Sequence, residues 1–194
     1  GCYKDVTDTT VVAQFKMKDG QINPFGLKQE IYFLAWTTTP WTLPSNTALT
    51  VGPNIDYVLV KTFNQYTYKS INVVLAKSLV NSQFSKFYRL VDDESELSYY
   101  KNGDKTIPYF IYDVCRGKDL VGLKYDQLLP YALPYKSVDK AFKIISGDFV
   151  TTEDGTGIVH TAPTFGADDA RVAEAAGVPG LLVLDDKENP TPLV

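Results

Sequence analysis

The strongest constraint on the fold is a series of short apolar runs of strand length, separated by turn residues. The longest of them, residues 30–36, reads EIYFLAW and predicts a buried strand. Similar runs rich in β-branched and aromatic side chains predict further strands at residues 10–16, 57–61, 66–68, 142–145 and 157–160. The chain is therefore expected to contain more strand than helix.

Helical patterns are fewer. A helix capped by Ser70 is predicted from apolar residues at roughly helical spacing, namely Ile71, Val74, Leu75, Leu79 and Phe87. Residues 166–176 predict a second helix with an acidic first turn, and residues 125–129 a short one that ends at Pro130. Because strands and helices do not alternate regularly, we expect an α+β fold: a mixed, largely antiparallel or barrel-like β core with a few surrounding helices.

Length and charge narrow the range of functions. The 194 residues predict a single domain, whose ends, about residues 1–10 and 185–194, resemble connectors. Lys and Arg total 19 and Asp and Glu total 23, so the formal net charge is −4. A protein that binds nucleic acid on its own normally carries an excess of positive charge, whereas the net charge here is negative. Contact with RNA would then depend on local patches or on other domains.

Cysteine usage and hydropathy bear on the compartment. Cys2 and Cys115 are far apart in the sequence, which argues against a disulfide framework. No apolar stretch approaches the roughly 20 residues needed to span a bilayer. We therefore expect a soluble, cytoplasmic protein without a membrane partner.

The first segment with potential chemistry is residues 37–46, TTTPWTLPSN, directly after the predicted strand at 30–36. In an extended chain, Thr37 and Thr39 point to one side and Thr38 to the other. Three hydroxyls at a strand exit can bind a sugar hydroxyl, a carbonyl oxygen or a water molecule. Threonine is also common in strands, so the residues alone leave a purely structural interpretation open.

The second segment is residues 155–169, GTGIVHTAPTFGADD, which has the pattern of a turn, a strand, a loop and a helix start. Asp168 and Asp169 fall in the first helical turn, where the helix dipole favours carboxylates. One of them could also hold a cationic group such as an α-ammonium. His160, the only histidine of the chain, lies at the end of the predicted strand.

Other chemistries have weaker support. One histidine and two distant cysteines do not supply the ligands of a zinc site, and the glycines at 155 and 157 lack the rest of a phosphate-binding loop. We therefore expect neither a metal nor a cofactor. A nucleophile pair of Cys115 and His160 stays open, although Cys115 is more typical of a core residue.

Together the two segments resemble the paired signatures of the editing domain of isoleucyl-tRNA synthetases, which are class I aminoacyl-tRNA synthetases. Residues 3–8 and 117–125 are similar as well. Thr39 and His160 follow the isoleucyl pattern, whereas valyl and leucyl enzymes generally carry Arg at the first position and Lys or Met at the second. The resemblance implies the editing-domain fold and a deacylase that removes wrongly attached valine from tRNA(Ile). The chain lacks the Lys-Met-Ser-Lys-Ser motif, so no amino-acid activation is expected.

The resemblance also implies roles for individual residues. Asp169 would pair with the α-ammonium of the misattached amino acid. Thr37, Thr38 and Thr39 would bind the terminal ribose and the carbonyl region and would place the attacking water. His160 would close the side-chain pocket against isoleucine and contact the ester.

Further residues would shape the cleft for the adenosine and the amino acid, namely Trp41, Asn46 and Phe165. The implied partners are the 3′ end of tRNA(Ile) carrying valine and the rest of a parent synthetase. Two alternatives stay open at this point. One is a non-catalytic module that binds the tRNA 3′ end, and the other is a valyl-type domain that clears threonine.

Overall fold

The computed structural model describes residues 9–193. Its strands are β1 (Val11–Lys16), β2 (Tyr32–Thr37), β3 (Ala48–Val51), β4 (Asp56–Phe63), β5 (Ser70–Ala76), β6 (Tyr88–Leu90), β7 (Ile107–Arg116), β8 (Lys143–Ser146), β9 (Ile158–Thr161), β10 (Leu182–Leu184) and β11 (Pro190–Pro192). Its α-helices are α1 (Val80–Gln83), α2 (Gly117–Leu120) and α3 (Ala167–Ala175). Short 3-10 helices cover Pro40–Ser45, Lys77–Leu79, Glu94–Tyr99 and Val138–Lys140. Cys2 and the stretch 3–8 lie outside the described residues.

Nine strands form one mixed sheet in the order β6-β7-β4-β5-β2-β9-β3-β8, with β1 joined to β2. The whole length of β2 pairs with antiparallel β1. Along its other edge, parallel β5 pairs with Tyr32 and Phe33, and parallel β9 pairs with Trp36. The sheet therefore forks at β2 into a branch through β5 and a branch through β9.

The branch through β9 closes into a barrel. Strands β9, β3 and β8 follow one another, and Lys143 of β8 forms an antiparallel bridge with Lys124. The next residue, Tyr125, bridges to Met17 directly after β1. The Tyr125 N–H also donates to the Phe142 carbonyl at 3.0 Å. The ring β1-β2-β9-β3-β8 is thus completed through residues 124 and 125, which confirms the predicted α+β class with a barrel-like core.

Burial on both faces explains the uninterrupted apolar sequence of β2. Phe33 and Ala35 belong to the main core cluster together with Phe15, Leu49, Tyr125, Ile144 and Ile158. Leu34 points the other way, into a second cluster with Val58, Val60, Val73 and Leu75. A third cluster places α3 against β3 and β8 through Ala48, Ile145, Val172 and Ala173. A strand between two apolar layers cannot alternate with polar residues.

Most of the predicted elements are confirmed. The strands expected at 10–16, 30–36, 57–61, 142–145 and 157–160 correspond to β1, β2, β4, β8 and β9. The helix expected at 166–176 is α3, and the chain leaves it through Gly177, which has a φ of +70°. β3 and the long β7 were not predicted. β10 lies directly before the stretch 185–194 and pairs with β11 inside it; that this stretch is a connector stays a prediction.

The helix predicted from Ser70 is wrong, because residues 70–76 form β5. Its side chains alternate: Val73 and Leu75 enter the second cluster, while Val74 and Ala76 enter the main one. Apolar residues on both sides of a strand gave a spacing that also fits a helix. Only the short α1 follows, at Val80–Gln83.

Two smaller predictions are also wrong. Residues 125–129 are not helical, because the backbone at Tyr125 and Asp126 is used to close the barrel: Asp126 N–H donates to the Lys16 carbonyl at 2.8 Å. The strand expected at 66–68 is a turn, in which Asn64 accepts hydrogen bonds from the N–H groups of Tyr66 and Thr67. Within residues 9–193, no helix is long and apolar enough to cross a membrane.

Tyr57 of β4 fixes the segment that leads into β9. Its ring is fully buried, and its hydroxyl donates to the Gly157 carbonyl at 2.5 Å and accepts from the Gly52 N–H at 3.0 Å. Gly117 leaves room for the ring, since a Cβ there would lie 2.9 Å from Tyr57 Cε2. One phenol therefore holds three chain segments together.

We expect Tyr57→Phe to lower the free energy of unfolding by about 1–3 kcal/mol, because two buried backbone groups lose a partner. Urea denaturation measures this change. Tyr66→Phe is the control, since Tyr66 is 80% exposed, and its effect should stay within about 0.5 kcal/mol. Equal stability of the Tyr57 variant and the native chain would contradict the assigned role.

Candidate functional site

The two segments singled out in the sequence meet at one edge of the barrel. β2 and β9 are parallel neighbours paired through Trp36 and Val159, so their carboxyl ends lie side by side. Thr37 ends β2, and Thr161 ends β9. The threonine segment and the histidine segment, more than a hundred residues apart in the sequence, therefore leave the sheet together.

The threonines form a small hydroxyl cluster at this edge. The Thr39 N–H donates to Thr37 Oγ1 at 3.0 Å, and the Oγ1 atoms of Thr37 and Thr39 are 3.3 Å apart. These two residues share one side, as their spacing predicted; Thr37 is buried, whereas Thr38 and Thr39 are both exposed to solvent. Thr42, in the 3-10 helix that follows, donates from its Oγ1 to the Thr39 carbonyl at 2.9 Å. Its hydroxyl ties the start of the helix to the threonine segment.

His160 is 5% exposed, and both of its ring nitrogens have protein partners. Nδ1 lies 2.8 Å from Asn46 Nδ2, and Nε2 lies 3.0 Å from Thr42 Oγ1. Two contacts orient the Asn46 amide: Nδ2 donates to the Ala48 carbonyl at 2.8 Å, and Oδ1 accepts from the Tyr125 hydroxyl at 2.6 Å. Since the amide nitrogen faces Nδ1, Nδ1 is the acceptor, and Nε2 carries the proton that it donates to Thr42.

His160 is therefore neutral in this arrangement. Burial lowers the pKa of its imidazole to about 4. Protonation of Nδ1 would also set the ring N–H against the amide N–H of Asn46, so that two donors would face each other. A general base needs a free, basic nitrogen, and the imidazole has none.

Asp169 brings the start of α3 to the same edge. Its Oδ2 accepts a hydrogen bond from the Ala162 N–H at 2.9 Å, one residue beyond the end of β9. Burial raises the pKa of this carboxyl, the Ala162 N–H opposes that effect, and the charge of Asp168 adds to it. Only one carboxylate oxygen is bonded to another of the described residues. The second oxygen is available to a cation or a hydrogen-bond donor.

The remaining predicted residues differ in exposure. Trp41 is 61% exposed and Phe165 46% exposed, so both rings lie at the rim. Asn46 is 2% exposed, and both N–H groups of its amide are bonded within the protein. The structure thus places the threonines, His160 and Asp169 at one edge of the barrel, with Asn46 bonded to the histidine from inside. Direct contact between Asn46 and substrate stays a prediction.

The turn before β9 depends on two glycines in the left-handed region, Gly155 at φ +76° and Gly157 at φ +74°. A Cβ on Gly155 would lie 2.8 Å from the ring of Trp36, and one on Gly157 would lie 2.5 Å from Ala76 Cβ. Both positions therefore exclude any other residue without local rearrangement. These close approaches hold β9 against β2 and β5.

Two residues of this hydrogen-bonded arrangement were not singled out from the sequence. Thr42 lies in the middle of the segment 37–46, so its position in this motif could have identified it. Tyr125 is 79 residues from Asn46, and no local pattern links them. Its apolar neighbours instead favoured a helix.

The structure argues against the cysteine alternative. Cys115 lies in β7, which is separated from β9 by three strands in the sheet. It belongs to the main core cluster, and burial raises the pKa of its thiol to about 12. In the part of the chain that the structure describes, no three His, Cys, Asp or Glu side chains are grouped as metal ligands would be.

The sequence is similar along its whole length to part of isoleucine–tRNA ligases. It is 57% identical over 194 residues to the ligase of Cytophaga hutchinsonii and 53% identical over 204 residues to that of Bacteroides thetaiotaomicron. These alignments cover 100% of this chain but only 16% and 17% of the two ligases. No protein-family model matches the chain.

The fold is similar to that of the editing domain of the P. knowlesi cytosolic leucyl-tRNA synthetase. The TM-score is 0.53 at 16% sequence identity, and the match covers 83% of this chain and 60% of that chain. At this identity the likeness concerns the fold alone. The chain is therefore homologous along its length to a segment of isoleucine–tRNA ligases, and it has the fold of a leucyl-tRNA synthetase editing domain.

Proposed function

We propose that this chain is the editing domain of an isoleucyl-tRNA synthetase and hydrolyses the ester of valyl-tRNA(Ile). The observation that carries the proposal is the Asp169 carboxylate at the edge of the barrel where β2 and β9 end: among residues 9–193, only one of its oxygens has a hydrogen-bond partner, the Ala162 N–H. An ammonium group pairs with an anion, and a ribose or an ester carbonyl can hydrogen-bond to hydroxyl groups. A module that only bound the tRNA 3′ end would not need a half-buried anion there.

The need for such a reaction follows from the chemistry of the two amino acids. Valine is one methylene smaller than isoleucine, and a pocket discriminates against this difference by only about 1–3 kcal/mol. A second site that accepts valine and excludes isoleucine corrects the resulting errors. In the proposed site, the imidazole of His160 forms a wall, and hydrogen bonds at both nitrogens prevent it from yielding to a larger side chain.

The proposed reaction is a simple hydrolysis. Water attacks the ester carbonyl carbon, the bond from that carbon to the ribose oxygen breaks, and a proton reaches the departing oxygen. The threonine hydroxyls hold the ribose and the water, and Asp169 holds the α-ammonium. Because His160 is neutral with Nε2 as a donor, no side chain of the site acts as a strong base. By analogy with the family, a neighbouring ribose hydroxyl assists the water, and the protein contributes mainly by positioning.

A panel of three esters tests the selectivity. A full-length isoleucine–tRNA ligase carrying this sequence should deacylate valyl-tRNA(Ile) at least about tenfold faster than isoleucyl-tRNA(Ile), since one methylene in a tight pocket has this effect. Release of radiolabelled amino acid measures each rate. Faster loss of threonine than of valine would indicate a valyl-type domain. Slow and equal loss of all three would indicate a module that binds without catalysis.

Asp169→Asn should lower the rate of valyl-tRNA(Ile) hydrolysis by about 10- to 100-fold, as expected for the loss of one charge-assisted hydrogen bond. The amide keeps an oxygen for the Ala162 N–H, so the variant should fold. Asp168→Asn is the matched control, because it removes a carboxylate from the same helical turn at a side chain that is 71% exposed. If both variants hydrolysed the ester at the native rate, Asp169 would not be the ammonium anchor.

The lowered pKa of His160 predicts its response to acid. The single histidine should give imidazole NMR signals that do not titrate between pH 8 and 5 in the folded chain. In urea they should titrate near the ordinary value of 6.5. Because the unfolded chain takes up the proton first, the stability from neutral His160 is present above about pH 6.5 and is lost as the pH falls towards about 4. A midpoint near 6.5 in the folded chain would contradict the neutral wall.

A further inference from the structure

Tyr125 joins the closure of the barrel to the candidate site. Its side chain is fully buried, and its ring packs edge-on against Phe15 at a centroid distance of 5.2 Å and against Phe142 at 6.3 Å. Its backbone is paired with Met17 in the bridge that completes the barrel. The ring is therefore closely packed on two sides, and its hydroxyl is directed to one point in the interior.

That point is Asn46, and from there a directed series of hydrogen bonds runs to the threonine segment. The Tyr125 hydroxyl donates to Asn46 Oδ1 at 2.6 Å, and Asn46 Nδ2 donates to His160 Nδ1 at 2.8 Å. His160 Nε2 donates to Thr42 Oγ1 at 3.0 Å, and Thr42 donates to the Thr39 carbonyl at 2.9 Å. Asn46 Nδ2 also donates to the Ala48 carbonyl, so the tyrosine and this carbonyl together orient the amide, and the amide sets the direction of the hydrogen bonds from His160 to Thr42.

We propose that Tyr125 is a positioning residue for the editing reaction, because its hydroxyl orients the Asn46 amide and thereby sets the tautomer of His160. The effect on the His160 tautomer follows from the hydrogen bonds, whereas the effect on catalysis rests on the proposed function. Tyr125 acts through Asn46 and does not touch substrate. It extends the set of residues that determine activity to a position at the opposite side of the barrel interior.

Removal of the hydroxyl has a defined consequence. Asn46 Oδ1 would be buried without a donor, and only the Ala48 carbonyl would then hold the amide in its present orientation. An amide that turned over would present oxygen to His160 Nδ1 and would favour the proton on Nδ1. Nε2 would then accept from the Thr42 hydroxyl, and the Thr39 carbonyl would keep only the hydrogen bond from the Thr42 N–H at 3.0 Å.

Tyr125→Phe tests the inference, and Tyr57→Phe is the matched control. Both remove one hydroxyl from a fully buried tyrosine, but Tyr57 bonds only to the backbone of Gly52 and Gly157. Because the chain has one histidine, the imidazole nitrogen NMR signals belong to His160 without assignment. We expect the native chain and the Tyr57 variant to show the Nε2–H tautomer. The Tyr125 variant should show the Nδ1–H form or a mixture of the two.

The kinetic readout uses a full-length isoleucine–tRNA ligase carrying this sequence. For valyl-tRNA(Ile) hydrolysis, Tyr125→Phe should lower kcat about tenfold while KM changes less than twofold, since the loss of one oriented hydrogen bond affects the reacting geometry and not the anchor. Tyr57→Phe should leave both constants near their native values at a temperature where both variants are folded.

Each result supports or overturns the inference. Unchanged histidine signals in Tyr125→Phe would overturn it, even if the variant were less stable, because a purely structural role predicts that pattern. Altered signals with native kcat would overturn the catalytic consequence. Absence of hydrolysis in the native ligase would refute the proposed function and that consequence with it. The histidine signals would still decide whether Tyr125 sets the tautomer.

Discussion

The parallel pairing of β2 with β9 is the constraint on which the rest of the site depends. Parallel neighbours end at the same edge, so a threonine segment and a histidine segment from distant parts of the chain leave the sheet side by side. The glycines at 155 and 157 allow the close approach that this pairing needs. Asp169 then attaches the start of α3 to the end of β9 through the Ala162 N–H. Without this pairing, these side chains would not lie at the same edge of the sheet.

The buried polar side chains around His160 do not weaken the fold, because they form hydrogen bonds with one another. His160 is buried, yet its two ring nitrogens are hydrogen-bonded to Asn46 and Thr42. The Tyr125 hydroxyl in turn donates to the amide oxygen of Asn46. Burial with full hydrogen bonding keeps the imidazole neutral and rigid. Asp169 differs, because only one of its carboxylate oxygens has a hydrogen-bond partner among residues 9–193. The proposed editing chemistry depends on these two different roles: a rigid, neutral imidazole at His160 and a carboxylate at Asp169 that can bind a cation.

Much of the fold could be predicted from local patterns. The strands β1, β2, β4, β8 and β9 and the helix α3 follow from apolar runs, turn residues and an acidic helix start. The error at Ser70 has a physical cause: β5 is buried on both faces, so its apolar residues lack the alternation that identifies a half-buried strand. The helix predicted at residues 125–129 was wrong for another reason. The backbone partners of Tyr125 are Met17, directly after β1, and Phe142, just before β8, and no local pattern reveals them.

The sequence by itself determined which chemical groups are present and how they are spaced in their segments: threonines on alternate sides, one histidine at a strand end, two aspartates in a first helical turn. These properties depend on residues a few positions apart, and backbone geometry relates them directly. Only the tertiary structure decided that β3 lies between β8 and β9, that Asn46 is behind His160, and that Tyr125 orients its amide. Those relations join residues about 80 to 120 positions apart, and burial in a closed barrel, with every polar group needing a partner, selects them.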